Sequence, residues 1–167
     1  LAGHQRPTRA HALHAALDAG INFYDSAEGY GNGYSEELLG EAFGSMRGKV
    51  IIASKVSPNH FAPADLRASC EASLRRLRSD YIDVYYMHWP SHTIPVAETL
   101  DVMRQLRDEG KIRHIAFSNF GKLDLPEALQ HEPVTVNELP YSLLWRAIEF
   151  DILPLCKKHK VSITPYM

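Results

Sequence analysis

Polar and ionisable residues recur where apolar runs stop: Asp25, Lys55, His88, the pair Ser118 and Asn119, Glu138 and Tyr166. Any one of them has a bland explanation, because strand ends meet water. The whole succession is much harder to explain that way. Lys55 follows the run Val50-Ile51-Ile52-Ala53-Ser54, so its ammonium stands at the mouth of a buried segment and requires a partner. Asp25, closing the preceding apolar run, can supply it. Tyr30 follows in a loop punctuated by Gly29, Gly31 and Gly33, which could fold it back over the same place. A lysine beside a tyrosine stabilises the phenolate, and such a tyrosine donates its proton to a developing alkoxide. His88 can orient the same oxygen. Together these groups suit proton delivery to a carbonyl. No side chain donates hydride, so a reduction at this site requires a nicotinamide cofactor.

The elements that must position these residues follow from periodicity. Short runs rich in Ile, Val and Tyr predict strands over 21–27, 50–56, 82–88, 112–119, 134–139 and 162–167, buried on both faces. Helices are predicted between them. One over 8–18 stops at Ala19-Gly20, and another opens at Ser35 as N-cap with Glu36 and Glu37 in its first turn. A third over 64–78 places Leu66, Cys70, Ser73, Leu74 and Leu77 on one face and Arg67, Glu71, Arg75 and Arg78 toward water. Further helices are expected over 95–109, 123–130 and 147–159. Strands alternating with helices imply βαβ units and a parallel sheet. A doubly wound sheet would usually carry G-x-G-x-x-G, whereas Gly29-Tyr30-Gly31 would require Gly or Ala at Tyr34. A (β/α) barrel is therefore favoured, and its active site lies where the C-terminal strand ends converge.

Bulk properties narrow the class. The 167 residues suffice for a single domain over 1–167, and 45% hydrophobic with 23% charged residues marks a soluble globular chain. A formal net charge of −2 gives no electrostatic case for nucleic acid or a membrane surface as partner. Cys70 and Cys156 are far apart and outside any CxxC spacing, so no disulfide is expected and a reducing cytoplasm fits. No apolar run approaches the ~20 residues that cross a bilayer. Residues 1–6 lack the apolar stretch of a signal peptide. The chain starts with Leu rather than Met, so natural sequence ahead of it is expected.

The block Gly20-Ile21-Asn22-Phe23-Tyr24-Asp25-Ser26-Ala27-Glu28-Gly29-Tyr30-Gly31, followed by Ser35-Glu36 and Leu39-Gly40, resembles the signature of the aldo-keto reductases. Ile52-Ala53-Ser54-Lys55, Asp80-Tyr81-Ile82-Asp83 leading to His88-Trp89-Pro90, and Gly110-Lys111-Ile112-Arg113 leading to Phe117-Ser118-Asn119-Phe120 are similar to further blocks of that family, in the same order. Residues 141–146 are similar to bacterial members close to the potassium-channel β-subunit branch. The resemblance implies an α/β TIM (β/α)8 barrel and a catalytic tetrad of Asp25, Tyr30, Lys55 and His88, with Tyr30 as general acid. It also implies Ser118 and Asn119 on the nicotinamide carboxamide, Tyr166 stacked on the nicotinamide ring, and NADPH as cofactor with NADH the alternative. Glu138 stands where many relatives place a Gln; an ionised carboxylate accepts hydrogen bonds but cannot donate them. The family also has a strand ahead of residue 1 and continues past 162–167 with a phosphate-binding loop. A full barrel takes ~250 residues, so the six strands here are expected to be an incomplete barrel lacking its first and last βα units. Alone, such a chain is expected to hold the cofactor weakly.

Several residues carry blander expectations. His11 and His14 are expected to face solvent. His88 and His92 are separated by Pro90, so no metal site is expected. Trp89 divides evenly between lining a substrate pocket and filling core, and both cysteines read as small core residues. Two rival functions stay in view: a Schiff-base lyase with Lys55 as nucleophile, and a non-catalytic module that binds a nucleotide or a protein partner. The expected ligand is a small carbonyl compound, with a homo-oligomer left open.

Overall fold

The structure, a computed structural model, describes residues 9–167. Expectations on residues 1–8, including the helix start at Thr8, lie outside the described residues. Six strands run as β1 (Phe23–Asp25), β2 (Ile51–Val56), β3 (Ile82–Met87), β4 (Ile112–Ser118), β5 (Val136–Pro140) and β6 (Ser162–Tyr166). The helices are α1 (Arg9–Asp18), α2 (Tyr34–Phe43), α3 (Pro63–Leu77), α4 (Val96–Asp108), α5 (Asp124–His131) and α6 (Ile152–His159). Among the described residues, none is long and apolar enough to cross a membrane.

All neighbouring strands pair in parallel, and their spatial order is β1-β2-β3-β4-β5-β6. An order that never reverses excludes a doubly wound sheet, which needs a switch point. The crossovers instead set their helices on one side of the sheet, where α1 to α5 pack successively on one another. The sheet is also curled. At ~4.8 Å per strand, β1 and β5 would lie roughly 19 Å apart in a flat sheet, yet Asp25 at the end of β1 and Glu138 on β5 both reach the same Lys55 ammonium. Six parallel strands curled with helices outside form an incomplete (β/α)8 barrel.

Strand alternation divides the side chains. Ile52, Val56, Tyr85, Met87, Ile115 and Phe117 point outward into the main core with the helices. Ala53, Tyr86 and Ala116 point inward, flanked by Val84 and Val136, as a barrel-interior layer. The central strands match the expected burial. β1 and β6 do not: Phe23 and Ser162 are exposed, because among the described residues no further strand flanks either edge.

Local departures have local causes. β1 is shorter than expected, although Ser26 and Glu28 continue its pairing through hydrogen bonds to the carbonyls of Ala53 and Lys55. The α2 cap is Gly33, not Ser35. Gly33 takes φ 89°, and the Ser35 hydroxyl, inside the helix, accepts from Ser26 Oγ at 2.9 Å. The expected helix over 147–159 splits into a 3-10 turn, Ala147–Glu149, and α6, with Asp151 at φ −139° between them. Pro154 then falls in the first turn of α6, where its missing N–H is harmless. His14 is not solvated: its Nε2 meets the Ala42 carbonyl at 2.8 Å and its ring packs on Phe43.

Candidate active site

Parallel register brings the polar strand ends to one rim. Asp25 closes β1, Lys55 stands near the end of β2, His88 follows β3, and Ser118 closes β4 with Asn119 next in the chain. Glu138 lies on β5 opposite Ser118 and Thr164, and Tyr166 closes β6. Lys55 is at the centre and fully buried. Its ammonium donates to Asp25, to the Ser26 carbonyl at 2.9 Å and to the Tyr30 hydroxyl at 3.4 Å. Those bonds use all three of its donors. A second carboxylate faces it, with Glu138 Oε1 at 3.4 Å.

The glycine-rich loop does fold Tyr30 back over the rim. Its ring meets the His88 ring edge-on at 5.7 Å. Glu28 fastens that loop: one carboxylate oxygen accepts from Ser57 N–H at 2.7 Å and lies 2.9 Å from His60 Nδ1, both beyond β2. Behind β2, the fully buried Glu36 accepts from Ser54 Oγ and from Arg76 Nε at 2.6 Å. This network anchors α2 and α3 to the residue next to Lys55. Reading the sequence singled out neither support. Glu28 and Glu36 both lie in motif blocks, but Glu36 reads as an ordinary first-turn acid because burial leaves no local sign.

Across the rim, Asn119 takes a left-handed φ of 63°. Its Nδ2 donates to the His88 carbonyl and to Ser118 Oγ, each at 3.0 Å, and its Oδ1 accepts from the Tyr166 hydroxyl at 2.6 Å. Asn119 thus pins the Tyr166 ring and the end of β3, while the Ser118 hydroxyl keeps its own hydrogen to give.

The electrostatics follow from burial and charge. Burial raises the Asp25 carboxyl, and Lys55 offsets part of the rise. Burial alone would lower the Lys55 ammonium, but Asp25, Glu138 and Tyr30 together outweigh it and the net direction is upward. Burial, then Lys55, lowers His88, which favours the neutral ring at pH 7. Burial, then the Asp25 charge, pushes Glu138 up to about 7.

Asp25, Tyr30, His88, Trp89, Asn119, Glu138 and Tyr166 line a cavity of about 210 Å³, with Thr164 and Pro165. Past Trp89, Asn119 and Tyr166 it meets a depression of about 500 Å³ that reaches Trp145 and Phe150. Trp89 is 50% exposed between the two, so it lines a pocket and does not fill the core. A planar, amide-bearing ring fits what the cavity lining offers: the pinned Tyr166 ring as a wall and the Glu138 carboxyl as a polar partner. Chemically, the rim can hold a proton on Tyr30, stabilise negative charge there with Lys55, and direct a neutral imidazole at the same point.

Residues 2–167 match the sequence profile of the Aldo/keto reductase family. The chain belongs to the aldo/keto reductase family. Methylglyoxal reductase YeaE of Escherichia coli (strain K12) is 38% identical over 165 residues, which cover 97% of this chain and 58% of that protein. Aldo-keto reductase YhdN of Bacillus subtilis (strain 168) is 37% identical, over 98% of this chain and 53% of that protein. Among solved structures, an aldo/keto reductase from Klebsiella pneumoniae in complex with NADP and acetate superposes with a TM-score of 0.90 at 38% identity. That match covers 94% of this chain and 56% of the Klebsiella one. The chain therefore spans about half the length of the aldo/keto reductases it matches.

Proposed function

We propose that this chain belongs to a reductase that uses NADPH to convert an aldehyde or ketone to an alcohol, with Tyr30 delivering the proton. One observation carries the reading: the buried Lys55, held by Asp25, stands 3.4 Å from the Tyr30 hydroxyl beside His88 at the mouth of a cavity. When bound, the cofactor supplies the hydride that adds to the carbonyl carbon. The Tyr30 hydroxyl gives its proton to the carbonyl oxygen, and Lys55 stabilises the phenolate oxygen left behind until solvent restores the proton. Asp25 fixes Lys55 in the protonated state. His88, neutral, turns one ring N–H toward the same oxygen and orients it. Ser118, Glu138 and Tyr166 hold the nicotinamide, and Asn119 braces them. Trp89 forms the wall nearest the substrate. NADPH is preferred to NADH by analogy with the NADP-bound Klebsiella relative. Two buried free thiols fit a reducing cytoplasm.

A Schiff-base lyase fits less well. Its lysine must lose a proton to attack, whereas the partners of Lys55 shift that ammonium upward. A non-catalytic binding module would have no use for a buried ammonium held against a tyrosine at the cavity mouth. The test is NADPH oxidation with an aromatic aldehyde by the protein and by Tyr30→Phe. The variant is expected to lose about 10²- to 10⁴-fold in kcat while binding NADPH within about twofold of the parent. Undiminished turnover by Tyr30→Phe would overturn the assignment.

A further inference from the structure

We propose that Glu138 matches the charge of the site to the redox state of the nicotinamide, holding a proton with the reduced cofactor and releasing it with the oxidised one. The inference rests on the reading above that the cleft binds a nicotinamide. It starts from an imbalance. One ammonium, Lys55, faces two carboxyl groups, Asp25 in direct contact and Glu138 at 3.4 Å. With both acids ionised the cluster carries a net charge of −1; with Glu138 protonated it is neutral.

Charge from elsewhere does not cancel this imbalance. Around Glu138, β1 presents Asp25, the loop after it Tyr30, β2 presents Lys55, β3 and the residue after it present Tyr86 and His88, β4 and the residue after it present the neutral Ser118 and Asn119, and β6 presents Thr164 and Tyr166. Burial raises Tyr86 and Tyr166 and lowers His88, so at neutral pH none of these three adds charge. Glu138 itself titrates at about 7, so its proton comes and goes at little cost near neutrality.

The nicotinamide ring is neutral when reduced and carries a positive charge when oxidised. An ionised Glu138 therefore complements the oxidised ring, and a protonated Glu138 suits the reduced one. Glu138 is 4% exposed, where solvent screens such attraction poorly. A protonated carboxyl also offers one donor and one acceptor to a carboxamide, as an amide side chain does.

Protein-fluorescence titrations of the full-length protein that carries this chain, with NADPH and with NADP⁺, test this across about pH 6 to 9. The ratio of the NADPH Kd to the NADP⁺ Kd is expected to rise with pH, by up to about tenfold per unit, in the parent protein. It is expected to stay flat in Glu138→Gln. The 2′-phosphate is common to both ligands, so its own ionisation cancels in the ratio. A flat ratio in the parent overturns the proposal, and so does a slope that Glu138→Gln preserves. The parent curves decide alone if the variant does not fold. If neither cofactor binds at any pH, the nicotinamide reading falls and this proposal with it; if both bind with parallel curves, only the proposal falls.

Discussion

At the residue scale, the rim concentrates unlike charges that fold and chemistry use differently. Lys55 is the member most legible in the sequence, because an apolar run ending in an ammonium demands a partner, and Asp25 closes the neighbouring run. The proton on Glu138 is not legible. It depends on the curl that brings β5 across to β1, a relation that no local pattern encodes. Its effect on stability has a definite sign. Glu138 has an ordinary carboxylate value near 4.5 when unfolded and about 7 when folded. Ionising it therefore opposes folding. Stability is full below the unfolded value, falls as pH rises from about 4.5 toward 7, and is level above, with a total loss on the order of a few kcal/mol. Asp25, also raised, acts in the same direction. Urea unfolding of Glu138→Gln is expected to show a shallower fall over this window. A pH dependence identical to the parent would contradict the protonated carboxyl.

At the scale of elements, the strand–helix alternation was readable throughout, since buried parallel strands announce themselves as short β-branched and aromatic runs. Boundaries were less readable where tertiary contacts set them. Gly33 rather than Ser35 opens α2 because the arriving chain needs a left-handed residue, and the Arg76 side chain leaves no room for a Cβ, its Cδ lying 2.5 Å from where one would stand. Gly40 records a tighter approach. A Cβ there would sit 2.2 Å from the Arg76 carbonyl oxygen and 2.8 Å from the Leu77 carbonyl carbon. Both are backbone atoms of the α3 end and cannot turn aside, so α2 must move away from α3. Gly40→Ala is expected to destabilise the protein by about 1–3 kcal/mol or more, read as a lowered Tm. That shift would also disturb the Glu36–Ser54–Arg76 network behind Lys55. An unchanged Tm would mean that the two helices pack less closely than described.

At the scale of the whole molecule, the winding decides where chemistry can occur. Six strands in unbroken order bring their C-terminal ends to one rim, so residues far apart in sequence, from Asp25 to Tyr166, meet around one cavity. The convergence was readable once a barrel was favoured over a doubly wound sheet, a choice that turned on Tyr34 standing where a phosphate turn needs Gly or Ala. The support behind the rim was not, because Glu28 and Glu36 act through bonds that tie loops and helices to β2 and the segment beyond it. The central claim is that hydride reaches a carbonyl carbon while Tyr30 protonates its oxygen. NADPH deuterated at both C4 positions, incubated with the protein and an aromatic aldehyde, tests it most directly. The alcohol is expected to carry one deuterium on its carbinol carbon by mass spectrometry, with formation slowed in Tyr30→Phe. An alcohol formed without deuterium, or an aldehyde trapped on Lys55 by borohydride, would contradict the claim.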